Sequence, residues 1–377
     1  MEITDYFECS SVVFNECSDD KLSSFVDFHH PSNELDLSSY NLVIIGVKEG
    51  RLSLNNEACA LAPDEIRSEL YDLYKGDWSL KVLDLGNLKI GATIKETYFA
   101  LKEITEYFTQ TNTILLVLGG GHDLITPIYN GHTLNGKSLS FASADAYLDF
   151  QDGSNYHSKS FLSNLVSCTT SLLSKYTLFA YQTYLCSSSE LDLLRSMEFN
   201  LIRLGVFNED ITEVEPYVRD LDHLSIDLSV VKNSNAPGCF HSSPNGISSE
   251  ALCTLMRYAG MSTKLQTVLL AELNPSLDQH NQSSKVYAQS IWYFIEGLHL
   301  KNDDFPDLSS QNFKKFHVNA GFSELIFYKS IRSSRWWVEL LGSENSSNIP
   351  LLSCSVTDYD KAVQGQLSQR LSAYFKF

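Results

Sequence analysis

Five side chains able to bind a cation or move a proton stand directly after apolar runs. His122 lies in GGGHD (Gly119–Asp123), which follows ILLVL; Asp145 and Asp149 follow LSFASA. Asp227 ends HLSID, and Glu272 follows TVLLA. Three aspartates and an imidazole brought to one spot repel and desolvate one another unless a positive charge stands between them. A hard divalent cation is the usual solution, and an Asp/His set without cysteine suits Mn²⁺ or a related ion. Asp145 and Asp149 would be about 13 Å apart on a fully extended chain, so a kink after Asp145 is required for both to reach one ion.

The elements that must position these residues are short apolar strands alternating with amphipathic helices. Strands are expected over Asn41–Val47, Leu80–Leu85, Thr113–Leu118, Leu139–Ala142, Thr177–Tyr181, Leu201–Leu204, His223–Asp227, Gln266–Leu270 and Glu324–Lys329. Helices are expected over Pro63–Leu73, Ile94–Gln110, Ser160–Val166, Glu190–Ser196, Ser248–Gly260 and Ser283–Leu300. Near-continuous apolar strands belong to sheets covered on both faces. The alternation therefore predicts an α/β fold, a three-layer α/β/α arrangement with a mostly parallel central sheet. In such sheets functional residues gather at the carboxyl ends of the strands, where the five side chains fall. Residues 1–39 read as an N-terminal extension, 40–301 as the α/β core, and 302–377 as a C-terminal appendage packed on it. Within the appendage, RWWVELL (Arg335–Leu341) reads as a strand or hairpin.

Composition removes several function classes. A hydrophobic fraction of 43% supports a sizeable core and excludes disorder as a description of the whole chain. The net charge of −18 repels phosphate backbones and anionic lipid, so neither nucleic acid nor a membrane surface is expected as a partner. No run is long enough to span a bilayer, and the opening MEITDYFECS lacks the regions of a signal peptide. The eight cysteines (Cys9, Cys17, Cys59, Cys168, Cys186, Cys239, Cys253, Cys354) form no CxxC pair, which suits reduced thiols in the cytoplasm. The triple glycine at Gly119–Gly121 lacks the GK[ST] of a phosphate loop. His223, Ser225 and Ser229 lack a nucleophile elbow, and adjacent His29 and His30 point to opposite faces of an extended chain.

The motifs resemble those of the ureohydrolase family, which contains arginase, agmatinase and formimidoylglutamase. The matching segments are GGGHD, ADAYLD (Ala144–Asp149), SIDLSVV followed by APG (Ser225–Gly238), and AELNPSLD (Ala271–Asp278). NNEACALAPDEIRSELYDLY (Asn55–Tyr74) resembles the family's N-terminal segment, and with GGGH it leans toward the formimidoylglutamase branch. The resemblance implies an arginase-like fold and two bridged Mn²⁺ ions that activate a hydroxide against a linear amidine or guanidine carbon. Carried over, His122, Asp145, Asp149 and Asp227 are the metal ligands of the first ion, with Asp149 also in the catalytic set. Glu272 matches the acid that grips the guanidinium, and His157, in NYHSKSF, matches the acid/base histidine. The implied ligand is a small cationic amidine or guanidine, and the implied assembly a homo-oligomer.

The departures fall on one side of the centre. Tyr147 replaces the histidine of DAHxD, and Ser229 the second aspartate of SxDxD. A phenol and a hydroxyl are poor substitutes for imidazole and carboxylate at neutral pH. At most one Mn²⁺ per subunit is therefore expected, with hydrolysis altered or lost. The alternative is a non-catalytic pseudoenzyme acting as a ligand-binding or assembly subunit. For a site without metal, Lys232 is the compensating cation nearest in sequence, where the family carries an aspartate.

Overall fold

Each apolar run forms a strand because both of its faces find helices to cover them. In the computed structural model, which describes residues 3–12, 18–30, 35–134, 136–151, 156–167, 171–306, 311–320, 324–340, 350–372 and 374–375, ten strands form one sheet. They are β1 (Phe7–Glu8), β2 (Val26–Phe28), β3 (Leu42–Gly46), β4 (Val82–Leu88) and β5 (Ile114–Leu118). The second half supplies β6 (Leu139–Ala144), β7 (Leu173–Tyr181), β8 (Asn200–Arg203), β9 (His223–Asp227) and β10 (Thr267–Ala271). The order is β1-β4-β3-β5-β10-β9-β6-β7-β8, with β2 also on β4. Only β1 runs antiparallel to its neighbour.

Alternate residues of each strand enter opposite layers, as the period of two demands. Ile44, Leu116 and Leu118 join Ile66 of α1 (Ala62–Tyr71), Leu255 of α8 and Ile291 of α9 in one apolar cluster. Here α8 spans Ser249–Gly260 and α9 Gln282–His299. Val43, Ile45, Leu115 and Val117 face the other way, toward Leu101 and Ile104 of α2 (Ile94–Thr109), Ile128 of α3 (Ile125–Thr133) and Leu165 of α4 (Phe161–Ser167). Thr93 and Glu96 form a capping box that fixes the start of α2. Three further helices flank the sheet, α5 (Ser188–Ser196), α6 (Leu204–Glu209) and α7 (Glu215–Arg219), while α10 (Val356–Val363) and α11 (Gln369–Ser372) belong to the C-terminal part. The three-layer α/β/α architecture with a mostly parallel sheet is thus the one expected.

Local differences have local causes. Residues 1–39 contribute β1 and β2, two or three residues long and too short to show a period. Strand β7 begins at Leu173 rather than Thr177; its first three residues, Leu173, Ser174 and Lys175, form a partly exposed end without an apolar run. After residue 302 an antiparallel sheet forms in chain order: β11 (Phe313–Asn319), β12 (Glu324–Ser330), β13 (Trp336–Glu339) and β14 (Leu351–Cys354). It has its own apolar cluster around Phe327, Val338 and Leu352. Arg219 joins it to α7, donating from Nη1 to the Trp336 carbonyl (2.9 Å) with its guanidinium 4.7 Å from the Trp337 ring centre. Arg335 adds an ion pair to Glu215 at 3.1 Å. Cys17 and Cys168 lie outside the described residues, and the other six cysteines are free thiols. Among the described residues no helix is long and apolar enough to cross a membrane.

One buried charge pair ties α1 to the sheet. Arg67 is fully buried and donates from Nε to Asp84 Oδ2 (2.7 Å) and from Nη2 to Asp84 Oδ1 (2.9 Å) and the Gly86 carbonyl (2.8 Å). Its Nη1 reaches Asn87 Oδ1 at 2.6 Å, and the Tyr71 hydroxyl also donates to Asp84. Removing one partner of such a pair leaves a buried charge uncompensated, at about 3–5 kcal/mol. Arg67→Ala should therefore lower the unfolding free energy in a guanidinium titration by that amount. A loss under about 1 kcal/mol would mean that water enters and solvates Asp84.

Candidate metal centre

The four neighbouring strands at the middle of the sheet deliver the site. Register places Asp227, the last residue of β9, beside Ala271 of β10, and Ala144 of β6 beside Ile226. Asp145 and Glu272 are the next residues of β6 and β10, so both emerge next to Asp227. On β5, Leu118 pairs with Leu270, and the glycines that follow carry the chain to His122. No side chain fits in the first part of that turn: a Cβ on Gly120 would lie 1.7 Å from the Glu49 carbonyl oxygen. The expected kink after Asp145 is present. The Tyr147 amide donates to Asp145 Oδ1 (2.9 Å), and the backbone turns through a left-handed Asp149 (φ +49°), so that both aspartates face the same point.

At that point stands the His122 imidazole, fully buried. Its Nδ1 lies 3.0 Å from Asp149 Oδ2, 3.3 Å from Asp145 Oδ2 and 3.4 Å from Asp227 Oδ2. Its Nε2 lies 2.9 Å from Ser225 Oγ, which is 2.7 Å from Ser143 Oγ. Once Nδ1 gives up its proton, donation from Nε2–H to Ser225 would leave the Nδ1 lone pair aimed at the space between the carboxylates, the tautomer a metal ligand needs. One donor atom from each of His122, Asp145, Asp149 and Asp227 falls within 4.8 Å of all the others. Asp145 Oδ2 is buried without a hydrogen bond, and Asp149 Oδ1 has only the Lys159 ammonium at 3.2 Å. An imidazole nitrogen and three carboxylate oxygens, partly unsatisfied, fit one hard divalent ion such as Mn²⁺.

Electrostatics repeat the point. Burial would push the His122 imidazole down, but the surrounding Asp145, Asp149 and Asp227 hold its pKa well above the ordinary value. Asp145 is pushed up to about 7 by burial and by the charges of Asp149 and Asp227. Asp227 is held below the usual carboxylate range; burial opposes this, and the Lys159 ammonium and His122 outweigh it.

Lys159 is the residue that sequence reasoning missed. It is 4% exposed, and its Nζ lies 3.2 Å from Asp149 Oδ1, 3.5 Å from Asp227 Oδ2 and 4.6 Å from the Tyr147 ring centre. Lys159, not Lys232, is the cation within ion-pairing distance of the carboxylates among the described residues. Lys232 instead lies in a partly exposed segment with its amide bonded to the Ile247 carbonyl. The available signal was a single lysine in NYHSKSF, two residues beyond the expected catalytic histidine. That histidine, His157, caps the turn carrying the lysine: its Nδ1 accepts from the Lys159 amide at 3.1 Å. Burial and the Lys159 charge lower its pKa.

The remaining expected residues take these places. Ser229 Oγ donates to Asp145 Oδ1 (2.9 Å), and its amide donates to Asp227 Oδ1 (2.8 Å). Burial raises the Tyr147 phenol above its ordinary pKa, which keeps it neutral, and its hydroxyl turns toward the His241 carbonyl 3.5 Å away. Glu272, left-handed at φ +63°, accepts from the His122 amide on Oε1 (2.8 Å). On Oε2 it accepts from Ser53 Oγ (2.6 Å) and Asn56 Nδ2 (2.8 Å). Ser53 and Asn56 also escaped the sequence reading, because their partner is more than two hundred residues away.

Comparison with known proteins agrees with this geometry. The family model described as the arginase family matches residues 40–296. The formimidoylglutamase of Corynebacterium efficiens is 25% identical over 297 residues, covering 72% of this chain and 89% of the relative. That of Halalkalibacterium halodurans is 23% identical over 288 residues, covering 69% and 88%. In fold, the chain is similar to the crystal structure of Bacillus subtilis formimidoylglutamase (TM-score 0.68, 18% identity, 79% of this chain and 98% of that one). It is similar also to Trypanosoma cruzi formiminoglutamase with Mn²⁺ (TM-score 0.63, 18% identity, 71% and 97%). With the match running through every strand that feeds the site, this chain belongs to the arginase family.

Proposed function

We propose that this protein keeps a one-ion form of its family's centre and binds a small cationic amidine or guanidine without turning it over at family rates. His122, Asp145, Asp149 and Asp227 would hold the ion, Mn²⁺ by donor type and by likeness to the Mn²⁺-containing Trypanosoma cruzi structure. The observation that carries this reading is Ser229. Where the resembled family has a carboxylate for a second ion, this chain has a neutral hydroxyl already donated to Asp145. Tyr147, neutral and turned toward His241, adds no anionic donor on that side.

A divalent ion in such a site acidifies water and polarises an amidine. The chain's own residues do the rest. Ser225 orients His122, and three donors fix the buried Glu272 carboxylate beside the centre, where it would be the acid that meets a cationic ligand. The three donors leave lone pairs on Glu272 for one more charge-assisted bond. Binding is thereby separated from the hydroxide placement that bridging ions provide. A homo-oligomer in the cytoplasm remains the setting we propose for it.

Formimidoylglutamate, agmatine and arginine should each be turned over at least a thousandfold below a typical kcat of about 10 per second. Product-release assays with Mn²⁺ check this; turnover at that typical rate, abolished by Asp227→Ala, would overturn the reading. Native mass spectrometry should find one Mn²⁺ per chain, and two would equally overturn it. The pH dependence has a definite sign. Asp145 is protonated below about 7, and the ion must displace that proton. The rise in melting temperature on adding Mn²⁺ should shrink as pH falls from 8 to 6, and a rise independent of pH would contradict a carboxylate ligand with this pKa.

A further inference from the structure

We infer that the Lys159 ammonium is a built-in replacement for the second cation of the centre. The inference rests on the one-ion reading and says what fills the place the second ion has lost.

The two oxygens of Asp149 point to two different cation positions. Oδ2 faces His122 Nδ1 at 3.0 Å, and Oδ1 faces Lys159 Nζ at 3.2 Å. Asp227 Oδ2 lies between the same two groups, 3.4 Å from His122 Nδ1 and 3.5 Å from Nζ. Nζ also lies over the ring of Tyr147, 4.6 Å from its centre. Tyr147 is the residue that stands in place of the second ion's own imidazole. Nζ thus sits on two carboxylates of the first site and against a ligand position of the second. The replaced residue suits its new neighbour, because an aromatic face attracts an ammonium.

Lys159 is also fixed in place. Its amide is bonded to His157 Nδ1 (3.1 Å), its carbonyl accepts from the Gln151 amide (3.1 Å), and the preceding Ser158 amide is bonded to the Leu52 carbonyl (2.9 Å). The side chain is 4% exposed, so swinging out would require the turn to open. Charge balance points the same way. One ammonium and one divalent ion neutralise the three carboxylates that face His122 and leave the imidazole free to act as a neutral ligand. A second divalent ion beside the ammonium would leave excess positive charge in a buried site, which is strongly unfavourable.

The test is Mn²⁺ stoichiometry by native mass spectrometry on four proteins: the natural sequence, Lys159→Met, Tyr147→His/Ser229→Asp, and the triple variant combining all three changes. Restoring the two lost ligands while Lys159 remains should still give one ion per chain, and only the triple variant should bind two. Two ions in Tyr147→His/Ser229→Asp would overturn the inference, as would one ion in a folded triple variant. Two ions in the natural sequence would instead defeat the one-ion reading beneath it. Should the combined variants not fold, Lys159→Met decides alone. Without metal it should melt below the natural protein, and Mn²⁺ should raise its melting temperature by more than it raises the natural protein's. Equal melting temperatures in chelator would overturn the assignment.

Discussion

Negative charge concentrated at the ends of four adjacent strands is the constraint around which this molecule is built. Asp145, Asp149 and Asp227 place oxygens within 3.0 to 3.4 Å of one imidazole nitrogen, in a region closed to solvent. Two like charges about 4 Å apart repel by about 4 kcal/mol at an effective dielectric near twenty. With three such pairs the repulsion rivals the whole stability of an ordinary domain. A bound proton or a cation must relieve it whenever the chain is folded. Lys159 supplies one charge at all times, and the His122 set is shaped to receive the rest.

The scaffold makes this concentration possible and limits how it can relax. Parallel strands aligned in register bring residues from four distant segments to one rim, which no local turn could do. Asp149 and Glu272 both hold left-handed backbone conformations, an uncommon state for residues other than glycine. Such strain is tolerated where surrounding bonds over-determine it, and it collects at functional positions. Here the bonds are those from Ser53, Asn56 and the His122 amide to Glu272, and the loop anchored through Asp149. Tyr147 and Ser229 stand on one side of this bonded frame, the phenol toward His241 and the hydroxyl on Asp145.

Much of this was legible in the sequence, for identifiable reasons. Strands such as Leu42–Gly46 and Ile114–Leu118 read clearly because a strand buried on both faces is apolar throughout. The cluster of His122, Asp145, Asp149 and Asp227 read clearly because each lies at the end of a strand or within a few residues of it. What failed to read depends on long-range closure. Lys232 is near Asp227 in sequence but faces elsewhere, whereas Lys159 reaches the same aspartate across 68 positions of chain. Its turn is placed by bonds to Leu52 and Gln151, partners that no periodicity reveals. The short strands Phe7–Glu8 and Val26–Phe28 were missed because two or three residues carry no period.

The most direct measurement of the central claim is a crystal structure from protein saturated with Mn²⁺, with anomalous scattering collected at the manganese edge. One anomalous peak among His122, Asp145, Asp149 and Asp227, with ordinary density for Lys159 Nζ between Asp149 and Asp227, is the predicted result. Two peaks about 3.5–4 Å apart, the separation of two-metal sites, with Lys159 displaced from the carboxylates, would contradict it.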